Sequence, residues 1–334
     1  MTEPTQTSPI RDEDKLDTTT SPESAQVYDP DNQDSSQEQT SSLNRWDTPW
    51  FNWKLISGIA IVVMIVLIGI FGRFLWDTEL VYVGKCPLNL PPVGFENSRG
   101  QTGTWAHPFG TENSGRDMLA LTIIGAPNSL LVGFVAATIG IGIGILLGFI
   151  SGFIGGLTDD LIRLLAGITI TVPSLLVLII IQSLVEQIGL FTMATLLAAF
   201  AWPGPTLVIR GQVMSMRESG YVQMARLSGA SPLRIMFGEI MPNLLPFLAA
   251  SFIGSVSGSI LAAVGLETLG LGPQRVPTLG GTLYFALEAA ALLRNMWWWL
   301  GIPIFILSLI FMGFLLINLG LDEIANPRLR KATE

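Results

Sequence analysis

The chain has 334 residues, 49% of them hydrophobic and only 13% charged, where ordinary soluble domains are about a quarter charged. Its mean hydropathy is +0.53, and it holds several runs of about 18 or more apolar residues, so a soluble globular fold is excluded and an integral membrane protein is expected. The net charge of −8 is concentrated: residues 1–54 hold eleven acids against four bases, and the remainder nearly balances. The acidic balance therefore describes a tail and says little about partners. A single cysteine, Cys86, and a single histidine, His107, exclude an intrachain disulfide and a Cys/His metal cluster.

In chain order, residues 1–50 are rich in Ser, Thr, Gln, Asp and Pro and read as a disordered acidic tail, too polar for a signal peptide. A first span is expected at 55–75. Residues 76–128 form an irregular loop whose PLNLPPVGFENSRG stretch is too rich in Pro, Asn and Gly for a helix. The second span, 129–153, carries Gly140, Gly144, Gly148, Gly152 and Gly156 every fourth residue. That smooth stripe lets another helix approach closely, either as ordinary intrachain packing or as a face that slides. The third span, 161–181, contains Pro173, which removes a backbone donor and is expected to kink it. The fourth, 188–208, is expected to break at WPGP, 202–205. A fifth follows at 244–264, with a similar small-residue stripe of Ser251, Ser255 and Ser259 beside Gly254 and Gly258. The sixth is expected at 298–319, with Trp297, Trp298 and Trp299 as an interfacial aromatic belt.

With the N-terminus inside, twelve Lys and Arg residues fall on the inner side and six on the outer, which places both termini in the cytoplasm. No phosphate-binding G-x-x-x-x-G-K-[ST], H-E-x-x-H or G-x-S-x-G motif occurs, so the chain reads as a non-enzyme without catalytic residues or metal ligands. His107 reads as a loop residue, and Asp159, Asp160, Asp322 and Glu323 as solvated helix ends. Glu267, near the outer end of span five, is a candidate for the substrate path because a carboxylate at membrane depth is costly. Pro173 joins it as a possible path residue.

Between spans four and five lies a polar hairpin. Residues 212–227 are expected to form one helix, Gly229 a turn closed to most residues, Ser231 an N-cap and Pro232 a first helical position. Pro242 and Pro246 are expected to end this second short helix. Such a shape docks into a groove on a cytoplasmic partner.

Here the sequence resembles a known family. The stretch is similar to the cytoplasmic E-A-A-x-x-x-G loop of ABC-importer permeases, with Gln223, Met224 and Ala225 in the E-A-A place, Gly229 at the glycine and Pro242 at the closing proline. Tyr221, Ala230, Ser231 and Pro232 belong to the same loop. Gln223 replaces the acid and Met224 an alanine. HPFGTENSGRDMLA (107–120), LGLGP (269–273) and NPRLR (326–330) resemble segments of the dipeptide, oligopeptide and nickel permease subfamily, in its second, C-type subunit. An acid common near Ala263 is absent here, with Glu267 one turn later, and PTLGG stands where P-T-P-x-W-G is common.

The resemblance covers about residues 50–331. It implies an all-α membrane fold of six transmembrane helices, one N-terminal plus a five-helix core, divided into tail (1–50), first helix and extracytoplasmic loop (51–125) and permease domain (126–334), with a coupling loop near 210–246. It implies a prokaryotic cytoplasmic-membrane importer subunit forming half of a pathway with a sister permease, driven by two cytoplasmic ATPases that bind ATP and Mg, and served by an extracytoplasmic binding protein. No cofactor on this chain and no nucleic-acid partner are implied. Peptides are the expected substrates, with nickel or oligosaccharides as alternatives. A secondary transporter is the rival class; the inverted repeats and mid-span ionisable groups typical of one are not seen.

Overall fold

A computed structural model describes residues 52–184 and 188–325. The acidic tail and the NPRLR run lie outside the described residues. The described chain is helical, with only two isolated β-bridges, Glu96–Thr102 and Thr111–Asp117. The helices are α1 (Trp53–Leu75), α2 (Met118–Ile154), α3 (Gly156–Thr171), α4 (Ser174–Leu184), α5 (Leu190–Ala201), α6 (Pro203–Arg217), α7 (Gly220–Leu227), α8 (Pro232–Thr268), α9 (Leu279–Glu288) and α10 (Trp297–Ala325).

Four of these, α1, α2, α8 and α10, are long and apolar enough to cross a bilayer singly. The α3–α4 and α5–α6 pairs are each long and apolar enough to do so only when taken together, and they turn by 73° and 44°. Both bends fall where proline interrupts the amide ladder: at Val172–Pro173, and at Trp202 just before Pro203. Counted with each bent pair as one span, the described helices make up to six crossings, the number expected.

Glycine sets how closely the spans pack. A Cβ on Gly58 of α1 would lie 2.6 Å from the Gly313 carbonyl of α10, and one on Gly320 would lie 2.6 Å from the Leu55 side chain. The two backbones touch without intervening side chains, the packing that membrane helices use in the absence of a hydrophobic drive between them. At one end of this pair, Glu323 pairs with Lys54 and accepts from the Asn52 amide. Glu323, expected as a solvated helix end, is therefore a tie between α1 and α10.

At the opposite end, residues 76–117 fold into a small cap. Asp117 organises it: it accepts from the Ala120 N–H at the start of α2 (2.8 Å), from the Trp76 indole (3.0 Å) and faces His107 Nδ1 (3.0 Å). Gly110 and Gly115 both have left-handed backbones (φ 76° and 69°) and leave no room for a side chain, since a Cβ on either would sit 2.5 Å from a carbonyl oxygen. Arg116 pairs with the fully buried Glu112 and lies over the Phe285 ring of α9, 4.8 Å from its centroid. Burial pushes the Glu112 carboxyl up from its ordinary range, against the pull of Arg116. Trp298 donates to the Thr111 carbonyl (3.2 Å). Trp298 and Trp299 are thus core residues under the cap, and only Trp297 is exposed, which corrects the aromatic-belt expectation. Cys86 is also enclosed, and burial, with Asp117 adding, pushes its thiol up to about 11.

Candidate functional site

The hairpin between α6 and α8 stands on the face opposite the cap. Its sequence forms two helical arms because the turn between them is chemically specified. At the end of α7 the Ala230 N–H bonds the Ala225 carbonyl (3.1 Å) and the Gly229 N–H bonds the Arg226 carbonyl (3.0 Å). This is a Schellman closure, with Gly229 left-handed at φ 79°. Nothing lies within 4 Å of a Cβ placed on Gly229, so the demand for glycine there is conformational and not steric. Ser231 then caps the next helix by accepting from the Arg234 N–H, and Pro232 takes the first helical position.

Two expectations about the hairpin need correction. Residues 212–227 are two helices, α6 and α7, separated at Glu218 and Ser219. The second arm does not stop at Pro242 or Pro246; it runs on as α8 to Thr268. A π-helical stretch, Ile235–Ile240, precedes Pro242, and the Asn243 side chain donates to the Glu239 carbonyl (2.6 Å). A π stretch absorbs the amide missing at a proline, and the helix continues without ending. The arm is therefore continuous with a membrane span.

The hairpin is pinned from below. Val222 is fully buried against Ile209 and Val213 of α6 and Ile235, Ile240 and Leu244 of α8, with Ala225 and Ala230 at the edge of the same cluster. Its outer surface is Tyr221, Gln223, Met224, Leu227, Leu233 and Phe237, all exposed. Gln223 donates to the Glu218 carbonyl (3.1 Å), a bond that an ionised acid at this position does not make.

Below the hairpin, the glycine face of α2 receives α5 and α6. A Cβ on Gly140 would lie 2.7 Å from Ala201, on Gly144 2.8 Å from Pro205, on Gly148 2.9 Å from the Thr206 carbonyl and on Gly152 2.8 Å from the Arg210 carbonyl. The stripe follows α5–α6 through its bend. Gly156 is not part of it: α2 ends at Ile154, and Gly156 has open space around it and a left-handed backbone. At the end of the stripe nearest the hairpin, Asp159 of α3 pairs bidentately with Arg210 of α6 and accepts from Ser151 of α2. Asp159 is buried, so its reading as a solvated helix end is also corrected. The signal for this pair was present in the sequence: Arg210 follows an apolar stretch, and an arginine near membrane depth takes a partner.

The two candidate path residues are not brought together. Pro173 is exposed at the α3–α4 bend. Glu267 is 1% exposed and faces the start of α9, where the Thr278 hydroxyl and the Gly280 and Gly281 N–H groups surround a carboxylate with no well-formed hydrogen bond. Gly272 and Gly280 make the room: a Cβ on Gly272 would lie 2.6 Å from Glu267 Cγ, and one on Gly280 would collide with Oε2. Gly254, Gly258 and Gly265 of α8 are exposed and lie on other faces of the helix. Glu267 is enclosed within the chain and does not line an open groove.

The bundle thus carries one helical hairpin on the face opposite the cap, packed on α6 and continuous with α8. Residues 144–331 match the family described as binding-protein-dependent transport system inner membrane component, and the chain belongs to that family. It is similar to the oligopeptide transport system permease protein OppC of Lactococcus lactis subsp. cremoris, with 28% identity over 82% of this chain and 90% of the relative. It is 29% identical to the dipeptide transport system permease protein DppC of Bacillus subtilis, over 90% of this chain and 92% of the relative. The Haemophilus influenzae OppC is 35% identical, over 66% of this chain and 70% of the relative.

Proposed function

We propose that this chain is one permease subunit of a binding-protein-dependent ABC importer for di- or oligopeptides. In this reading it forms half of a translocation path with a sister permease in a prokaryotic cytoplasmic membrane. The hairpin face and both termini are cytoplasmic, and the cap is extracytoplasmic. Two ATPase subunits hold ATP and Mg and dock on the hairpins of the two permeases, while this chain binds no cofactor.

One observation carries the reading: the hairpin is capped and exposed, and its second arm is the start of a membrane span. A push on its outer residues passes through Val222 to α6 and directly along α8. From α6 it reaches α2 and α3 through the glycine face and the Asp159–Arg210 pair. The bends at Trp202 and Pro173 give these spans places to flex. Peptides are the proposed cargo because the relatives above are named as oligopeptide and dipeptide permeases.

The test is reconstitution of the permease pair with its ATPases and binding protein in liposomes. Labelled di- and oligopeptides, nickel and an oligosaccharide are compared for ATP-dependent uptake. Peptide uptake is the expected result, and uptake of nickel or oligosaccharide alone contradicts the cargo assignment.

A further inference from the structure

Glu267 is a buried acid that the hairpin mechanism does not use. Among the described residues, Glu112, Asp117 and Asp159 are also buried, and each pairs with a basic side chain. Glu267 pairs with none. Its own helix does not compensate it, because it stands in the last turn of α8, the end at which the helix dipole disfavours a negative group. The positive end beside it belongs to α9. There the Leu279 N–H donates to the Ser129 hydroxyl of α2, the Gly281 N–H to the Thr278 hydroxyl and the Thr282 N–H to the Thr278 carbonyl, each at 3.0 Å. The remaining N–H of that turn, on Gly280, faces the Glu267 carboxylate. Glu267 therefore stands to α9 as an N-cap supplied by another helix.

The position of this contact along α8 gives it a reach beyond its own surroundings. The helix runs 37 residues from Pro232 to Thr268, about 55 Å at the usual rise. Its first residues are the second arm of the hairpin, and its last turn holds α9 at the cap end. On its other side α9 is tied to α2, where the Asn128 amide donates to the Pro277 carbonyl (2.8 Å) next to the Ser129 bond. Arg116 of the cap lies over Phe285 of the same helix. A short helix clasped between α2, α8 and the cap is placed to move when α8 shifts against α2.

The sequence marks the same place. Glu267 and the PTLGG stretch, 277–281, are two departures from the resembled permease pattern, and they meet in space: the carboxylate fills the volume that a side chain on Gly280 would need. Gly272 closes over the same side chain from the intervening loop. The site is shaped around a carboxylate at this position, with its charge directed at the start of α9.

We propose that Glu267 is a positioning residue for transport: its carboxylate hooks the N-terminus of α9 to the end of α8, so that α9 follows α8 when the hairpin is displaced. The proposal rests on the importer reading above. The experiment uses the complete reconstituted complex with loaded binding protein, and measures ATP-dependent uptake and ATPase rate in the same vesicles. Wild type, Glu267→Gln and Glu267→Asp are compared. Gln keeps the size of the side chain and removes the charge, while Asp keeps the charge and withdraws it by one methylene. The readout is cargo taken up per ATP hydrolysed, which does not depend on how many complexes have folded, so a merely structural defect leaves it unchanged. The ratio is expected to fall about fivefold or more in Glu267→Gln, in line with a charge at a helix N-terminus in a buried site, with Glu267→Asp between that variant and wild type. A wild-type ratio in Glu267→Gln overturns the hook, even where uptake and ATPase fall together. A ratio lower in Glu267→Asp than in Glu267→Gln assigns the effect to side-chain length and also overturns it. Wild-type complex that shows no ATP-dependent uptake contradicts the importer reading itself.

Discussion

Glu267 and Gly280 are one unit at the scale of single residues. The carboxylate occupies space that any side chain at position 280 would fill, close to the first N–H groups of α9. A helix N-terminus favours a negative group, and the enclosure explains how an acid sits at the end of a membrane span. Gly280→Ala is therefore expected to lower the thermal stability of the purified complex, since overpacking typically costs about 1–3 kcal/mol. Glu267→Ala combined with Gly280→Ala is expected to recover part of that loss, because the two act on one space. Equal and additive losses in the double variant, measured by thermal melting, would show that the two residues do not share it. From the sequence, Glu267 was legible as an unusual acid, but its partner was not. The pairing spans thirteen positions and depends on the loop folding back, which no local pattern encodes. His107 and Asp117 are similar: the motif was visible, while its role as the cap's internal brace needed the three-dimensional contacts.

At the scale of elements, apolar length and proline placed the four single spans and the two bent pairs with their bends. Apolar length and missing amide donors are local properties of the chain. The same logic misled at Pro242 and Pro246, where a proline was read as a stop. The π stretch accompanies the continuation of α8 through both prolines, and such a change of register is not a local sequence signal. The glycine stripe was legible as a smooth face, but not which helix lies on it. Its occupant, the bent α5–α6 pair, makes a prediction specific to position. Gly144→Leu would drive a side chain into Pro205 and the Trp202 carbonyl, so reduced membrane levels or arrested uptake are expected. Gly142→Leu, on the same helix with open space around it, is expected to be tolerated. Equal effects of the two on expression and uptake would count against close packing as the reason for the stripe.

At the scale of the whole molecule, the cap and the hairpin define opposite faces, and the account assigns them to opposite sides of the membrane. Cys86 is a poor reporter of this, because its thiol is buried and its pKa is pushed up to about 11, which leaves little thiolate at neutral pH. In a Cys86→Ala background, Leu293→Cys on the cap face is expected to react with a membrane-impermeant maleimide in intact cells. Leu227→Cys on the hairpin is expected to react only after lysis; the reverse pattern would invert the orientation. Charge counts in the sequence are the basis of that assignment, while the packing of the hairpin was not readable, because it rests on Val222 and the π-continuous α8 together. The most direct test of the central claim is Gly229→Val. A β-branched residue held at a positive φ costs roughly 1–3 kcal/mol and should reshape the turn, while the six spans do not depend on it. In the reconstituted complex, the account predicts normal assembly of the permease in the membrane, loss of peptide uptake and loss of ATPase stimulation by loaded binding protein. Undiminished uptake with full stimulation in Gly229→Val would contradict it.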